Sequence, residues 1–271
     1  MPDLERLRPL ARWLPPVVGQ LGVRVLRASA VPASLARYAR DRRAYGRLPG
    51  AERLRWRDSF PQLGDRLAMS PFDSHYFYQD AWAAGHVAAL APDRHIDVGS
   101  RVDYVGFLAA AVCAVTFVDI RRLEADLERL GSVAGSVLEM PFATESVTSL
   151  SCLHVAEHIG LGRYGDPLDP LGTRKAAAEL ARVLAPGGAL LFSLPVGAPR
   201  VCFNAHRIHA PGDVREMFAD LELTEFSGVD DQGVFRRHRA LDELAGSVYA
   251  CGMFRLVKPA APRAAGASPL R

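Results

Sequence analysis

Lysine is nearly missing from this chain: Lys175 and Lys258 are the only two in 271 residues, and arginine supplies the rest of the basic charge. This skew reflects genomic base composition rather than phosphate recognition. The formal net charge is only +3, which gives no global electrostatic case for a nucleic-acid partner. Cysteine is scarce as well. Cys113, Cys152, Cys202 and Cys251 are widely scattered and form no CxxC pair, so neither a zinc site nor a disulfide framework is suggested, and a reducing cytoplasm fits. No run of eighteen uncharged apolar residues occurs, which excludes an ordinary membrane span. Residues 13–26 are fairly apolar and Ala28-Ser29-Ala30 imitates a signal-peptidase site. Pro15-Pro16 breaks that segment and Arg24 and Arg27 crowd its end, which argues against a cleaved leader.

Charge is uneven along the chain. Residues 1–60 carry thirteen Arg against five acids. The plain reading is a solvated helical face; the alternative is peripheral membrane contact through an amphipathic, basic stretch. With about half its residues apolar, the chain is long enough for one catalytic domain plus an appendage. Residues 1–70 read as a helical extension of two or three helices, punctuated by Pro15-Pro16, Pro32 and Pro49-Gly50. Residues 71–258 read as the main domain, and 259–271, rich in Ala and Pro, as a disordered tail.

The main domain opens with His75-Tyr76-Phe77-Tyr78 and Trp82 on a helix running to about Leu90, whose spacing suits packing on a sheet, the alternative being that one or two rings face a ligand. Short β-branched runs then alternate with helical segments. Strands are expected at 96–98, 115–120, 132–134, 147–153, 189–194, 221–226 and 248–256. Helices are expected at 103–112, 121–129, 173–184 and 212–219. Near-continuous apolar strands in this alternation predict an α/β fold, a mostly parallel Rossmann-like sheet covered on both faces. Ala176, Leu180, Val183 and Leu184 form one apolar stripe, and Pro186-Gly187-Gly188 stops that helix.

In such a sheet a ligand sits beyond the carboxyl ends of the strands, where strand order reverses. Three segments should reach that edge. Asp97-Val98-Gly99-Ser100 ends the first strand, and Gly99 allows close backbone approach to a ligand. Asp119 stands at the next strand tip, 22 residues after Asp97, where a carboxylate can accept both ribose hydroxyls, with Ile120 beside it. The third segment is Gly135-Ser136-Val137-Leu138-Glu139-Met140-Pro141-Phe142.

At this third segment the chain resembles class I S-adenosylmethionine-dependent methyltransferases, whose corresponding loop flanks the adenine and runs into a Leu-Pro-Phe-like turn. The resemblance implies a seven-stranded sheet with its last strand antiparallel. It implies S-adenosyl-L-methionine as cofactor, with Ser136 and Val137 at the adenine and Leu153 at the end of the fourth strand. Further blocks look like an uncharacterised methyltransferase-like family often associated with bacterial polysaccharide loci: His75–Asp80, Gly160–Pro167, Phe203–Arg207 and Tyr249–Gly252. That likeness spans roughly residues 70–257 and implies O-methylation of a sugar or glycan-related molecule. The chain departs from the pattern in one place: Gly99 is followed by Ser100, Arg101, Val102 and Asp103, without the second and third glycines of a Gly-x-Gly-x-Gly loop. Arg101 then either turns outward or pairs a ligand carboxylate. A nicotinamide enzyme would want the missing glycines. A catalytically degenerate binding or assembly protein is the alternative from another class.

His154-Val155-Ala156-Glu157-His158 follows the fourth strand. H-x-x-E-H is also a metalloprotease pattern, but Gly160 and Gly162 end any helix that would carry it. By resemblance to O-methyltransferases with E-x-x-E-H after strand four, His154, Glu157, His158 and His206 would hold a divalent ion. The other reading is a hydrogen-bonded histidine cluster, with His154 or His206 as general base. Asp166 and Asp169 are placed to hydrogen-bond a polyol, with Tyr164 among them, and Arg163 and Arg207 to grip a phosphate or carboxylate. Each of these serves equally as loop scaffold.

Overall fold

A computed structural model describes residues 16–260, with side chains from 31 onward. The chain divides into two compact units, Met1–Pro71 and Phe72–Arg271. In the first, α1 (Pro16–Tyr45) is followed by a 3-10 turn at Trp56–Asp58. The expected break at Pro32 does not occur: α1 runs through it, since one absent amide removes a single helical hydrogen bond. The break expected at Pro15-Pro16 and the tail beyond residue 260 lie outside the described residues. No described helix is long and apolar enough to cross a membrane.

The second unit is built on an eight-stranded sheet in the order β3-β2-β1-β4-β5-β10-β8-β9. Its strands are β1 (Arg94–Val98), β2 (Ala114–Asp119), β3 (Leu130–Ala134), β4 (Val147–Leu153), β5 (Leu184–Val196), β8 (Glu222–Val229), β9 (Phe235–Arg236) and β10 (Ala250–Val257). Strands β1 to β5 are parallel, β10 is antiparallel between β5 and β8, and β9 pairs antiparallel with β8. The fold is therefore the Rossmann-like methyltransferase sheet, with eight strands rather than seven because Phe235–Arg236 adds a short edge. A separate hairpin joins β6 (Arg200–Cys202) to β7 (His206–Ile208).

Helices cover both faces. On one, α4 (Gly172–Val183) buries Ala176, Ala177, Leu180 and Val183, and α5 (Pro211–Met217) adds Val214 to a core with Leu150, Leu190, Phe192 and Phe254. On the other, α2 (Ser74–Leu90) and α3 (Val102–Ala111) press Trp82, Val87, Val105 and Leu108 against Val115, Phe117 and Met253. Asp73 caps α2 by accepting from the amides of His75 at 3.0 Å and Tyr76 at 3.3 Å. Buried Gln79 accepts from Ser193 Oγ at 2.6 Å and ties α2 to β5.

Two elements differ from expectation. Residues 121–129 form a loop, not a helix: Asp119 Oδ1 takes the Arg121 amide at 2.7 Å and Ser132 Oγ takes the Leu123 amide at 3.0 Å. Nine residues with only Leu123 and Leu127 to bury cannot outweigh those side-chain acceptors. Pro186-Gly187-Gly188, expected to stop α4, lies beyond the helix end at Val183 and inside β5. The α4 helix passes straight into β5, and the three residues shift its register on β4 between Val147 and Ser149.

Candidate active site

The strand order reverses at β1, between β2 and β4, and a cavity opens at their carboxyl ends. Gly99 turns with φ +66°, close enough that a Cβ there would meet both Val155 methyls at 3.2 Å and Asp119 Oδ2 at 3.7 Å. Gly99, Asp119, Ile120, Ser136 and Val137 line the cavity together, as the sequence leads one to expect. His154, Val155 and Tyr164 complete its far wall.

The cavity is narrow, about 110 Å³, against roughly 300–1,000 Å³ for sites that enclose a small ligand. Arg121 explains part of this. Its Nε donates to Asp119 Oδ1 at 3.2 Å and its guanidinium lies 5.2 Å from the centre of the Tyr164 ring, so one exposed arginine spans the mouth. Arg101 does turn outward, pairing Asp103 at 2.8 Å and lying 5.2 Å from the Tyr76 ring centre.

Asp97 and Ser100 do not line the cavity; they brace it from beneath. Asp97 is wholly buried and accepts from Ser100 N at 3.1 Å, Ser100 Oγ at 2.7 Å and Ser151 Oγ. Ser100 Oγ accepts from Leu153 N at 3.1 Å, which locks the β1 tip to the β4 tip. Burial pushes the Asp97 carboxyl up to about 7 against these donors. Leu153 is core, 1% exposed.

After β4 the chain makes only a 3-10 turn at Ala156–His158, so the protease-like pattern has no helix to stand on. His154 itself adopts φ +56° and is buried. Its Nδ1 lies 3.3 Å from Glu157 Oε1, which is also 3.7 Å from His158 Nε2. Burial pushes the His154 imidazole down, but the Cys251 sulfur and the Glu157 carboxylate outweigh it and hold the group well above its ordinary value. Burial likewise pushes Glu157 up, and its histidine neighbours outweigh that and hold it ionised.

The four expected metal ligands do not converge. His158 Nδ1 donates to the Ala205 carbonyl at 2.6 Å, and His206 packs on Tyr249 with ring centres 5.0 Å apart. Among the described residues, the His, Cys and carboxylate donors that gather within 4.8 Å of one another are those of His75, His154 and Cys251. His154, His75, Tyr249 and His206 form a chain of ring contacts, 5.8, 5.1 and 5.0 Å between successive centres. Burial and the neighbouring His154 lower His75 to about 4, and burial lowers His206. Sequence reasoning read His75 as part of a cluster packing on the sheet and gave Tyr249 and Cys251 no site role, although all three lie in blocks it singled out.

The loop candidates hold the 160–172 loop together, and Tyr164 and Asp166 also line the cavity. Asp166 accepts from Gly160 N at 2.5 Å and Tyr164 N at 3.2 Å, and Asp169 pairs Lys175 at 2.7 Å. Arg207, expected to grip an anion, is buried and spends its guanidinium on the Ile159 carbonyl at 2.5 Å and the Asp169 carbonyl at 2.9 Å. Arg163 is exposed, donates to the Ala205 carbonyl at 2.9 Å and lies 5.1 Å from the Tyr164 ring centre.

Residues 98–245, more than half of the chain, match the family described as Caenorhabditis protein of unknown function, DUF268. The chain belongs to the DUF268 family. No curated protein matches it significantly. This DUF268 chain is similar to the solved YcgJ protein of Bacillus subtilis at 14% identity and a TM-score of 0.49, over 68% of this chain and 100% of that one. It is similar to the N-methyltransferase NodS of Bradyrhizobium japonicum, solved with S-adenosyl-L-homocysteine, at 16% identity and a TM-score of 0.48, over 68% and 88% of the two chains. A third is the 1,6-didemethyltoxoflavin-N1-methyltransferase of Burkholderia thailandensis, at 17% identity and a TM-score of 0.45, over 69% and 84%. Identities this low bring no activity with them.

Proposed function

We propose that this DUF268 chain is an S-adenosylmethionine-dependent methyltransferase. One observation carries the reading: the carboxylate of Asp119, the turn at Gly99 and the Ser136-Val137 corner line one cavity at the reversal point of the sheet. The donor set suits a nucleoside. Asp119 offers acceptors for ribose hydroxyls, and Ile120, Val137 and Leu138 offer apolar walls for a base. Gly99 keeps open the space that a Cβ would take in front of Asp119. At about 110 Å³ the cavity must widen to admit such a ligand, and the exposed Arg121 is the group that can swing aside.

A bound sulfonium cofactor supplies the methyl group; the protein's part is alignment and proton transfer. The acceptor we propose is a hydroxyl of a sugar or glycan-related molecule, which the family resemblance supports. A second cavity, lined by His75, Tyr76, His154 and Tyr249, shares His154 with the first and gives an acceptor a place beside it. His154 is buried with its Nδ1 3.3 Å from Glu157 Oε1, and it stands where the two cavities meet. His206 is half-buried with a lowered pKa, so it is neutral near pH 7 and suited to take the hydroxyl proton. His206, its ring 5.0 Å from that of Tyr249 on the wall of the second cavity, would take the proton that the acceptor hydroxyl loses.

Arg121 on Asp119 favours a second reading, a methyltransferase-shaped binding protein without catalysis. Calorimetry with S-adenosyl-L-homocysteine decides between them. A micromolar Kd supports the enzyme, and no heat at millimolar ligand sinks it.

A further inference from the structure

We propose that His75, His154 and Cys251 form a site for a zinc-class divalent ion. The three come from separate elements: the first turn of α2, the residue after β4, and β10. Each offers a donor atom, and the donors lie within 4.8 Å of one another. Two imidazoles and one thiolate are the borderline-soft set that favours zinc over magnesium or calcium. An ion would draw the donors in to bonds of about 2.0–2.3 Å.

A second observation points to a missing partner. His154 Nε2 and Glu157 Oε2 are buried and make no hydrogen bond, and His154 Nδ1 has only the Glu157 carboxylate near it. Buried polar atoms left so are rare and call for a ligand. Glu157 Oε1 stands 3.3 Å from His154 Nδ1, on the side that leaves Nε2 for the ion. A carboxylate behind a ligating histidine is the usual outer support of zinc, because it fixes the ring and raises its basicity. The chain also spends conformational strain here, since His154 is a non-glycine residue at φ +56°.

Three protein ligands leave a fourth position for water or substrate. Two of the three, His75 and His154, line the second cavity, of about 280 Å³, from which a fourth ligand would reach the ion. An ion there would lower the pKa of a bound hydroxyl. That use rests on the methyl-transfer reading; the ion site itself does not.

The test is cobalt titration of the full-length, chelator-stripped protein without cofactor. The expected result is one Co²⁺ per chain, with a thiolate-to-cobalt charge-transfer band and the intense visible bands of tetrahedral cobalt, both displaced by Zn²⁺. Cys251→Ser should abolish the charge-transfer band, and His75→Ala should weaken binding by more than about tenfold. No band in the wild type, or a band that survives Cys251→Ser, overturns the site. If Cys251→Ser does not fold, His75→Ala at the half-buried start of α2 decides the question, and unchanged cobalt affinity in it refutes the proposal. Calorimetry with S-adenosyl-L-homocysteine on the same metal-free protein reads the methyltransferase assignment separately, so either can fail alone.

Discussion

Arg121 holds Asp119 from two sides, its amide donating to Oδ1 at 2.7 Å and its Nε to the same oxygen at 3.2 Å. The backbone bond belongs to the turn after β2 and stays. The side-chain bond competes with any ribose for the carboxylate, and it also draws the guanidinium over Tyr164. Because Arg121 is exposed, the ion pair is worth no more than about 1 kcal/mol. Arg121→Ala should therefore bind S-adenosyl-L-homocysteine up to about five-fold more tightly by calorimetry. Weaker binding in the variant would mean that the guanidinium grips the ligand instead of guarding the site.

Asp119→Ala has the opposite sign. The carboxylate is at a strand tip, outside the core, so the fold should survive its loss. Removing the acceptor for ribose hydroxyls should weaken binding by about 1–3 kcal/mol. Equal affinities, with unchanged circular dichroism, would take Asp119 out of the site.

The sheet and its ligand-facing edge were legible because they are written locally. Val115 to Val118 is an apolar β-branched run ending in Asp119, and Val98-Gly99 is a strand followed by a turn residue. The helix expected at 121–129 was misread because Leu123 and Leu127 imitate a helical stripe, while the acceptors that take its amides, Asp119 and Ser132, lie outside the window. His75 and Cys251 carried no spacing signal toward His154, being 79 residues before it and 97 after. Only the antiparallel insertion of β10 beside β5, with Cys251 against Pro195, brings the thiol to that edge. Arg207 was read by its charge, when burial had already committed it to carbonyls.

That commitment makes Arg207 a structural residue. Its guanidinium closes the neck of the 160–172 loop by donating to Ile159 O and Asp169 O. The neck is tight: a Cβ on Gly172 would lie 2.1 Å from Ile159 O, and one on Gly160 2.1 Å from Asp169 O. A planar two-pronged donor serves both carbonyls at once. Arg207→Ala should cost about 3 kcal/mol in urea denaturation, and Arg207→Lys should recover less than half of it. Full stability in either variant would return Arg207 to the list of ligand-binding candidates.

Asp97 should give the folded chain a pH dependence of definite sign. Burial raises its carboxyl from 3.8 to about 7, opposed by the donors Ser151 and Ser100. Between those two values the folded chain keeps a proton that the unfolded chain has lost. The stability this provides is complete below 3.8 and disappears as pH rises through about 7. Asp97→Asn removes the titration while keeping an acceptor for the Ser100 amide. Moving from about pH 5 to about pH 8 should therefore raise the stability of the variant relative to wild type by on the order of 2 kcal/mol. A difference that stays flat across that range would mean that Ser100 and Ser151 solvate the carboxylate well enough to cancel its burial, and that the brace beneath Gly99 is ionised at neutral pH.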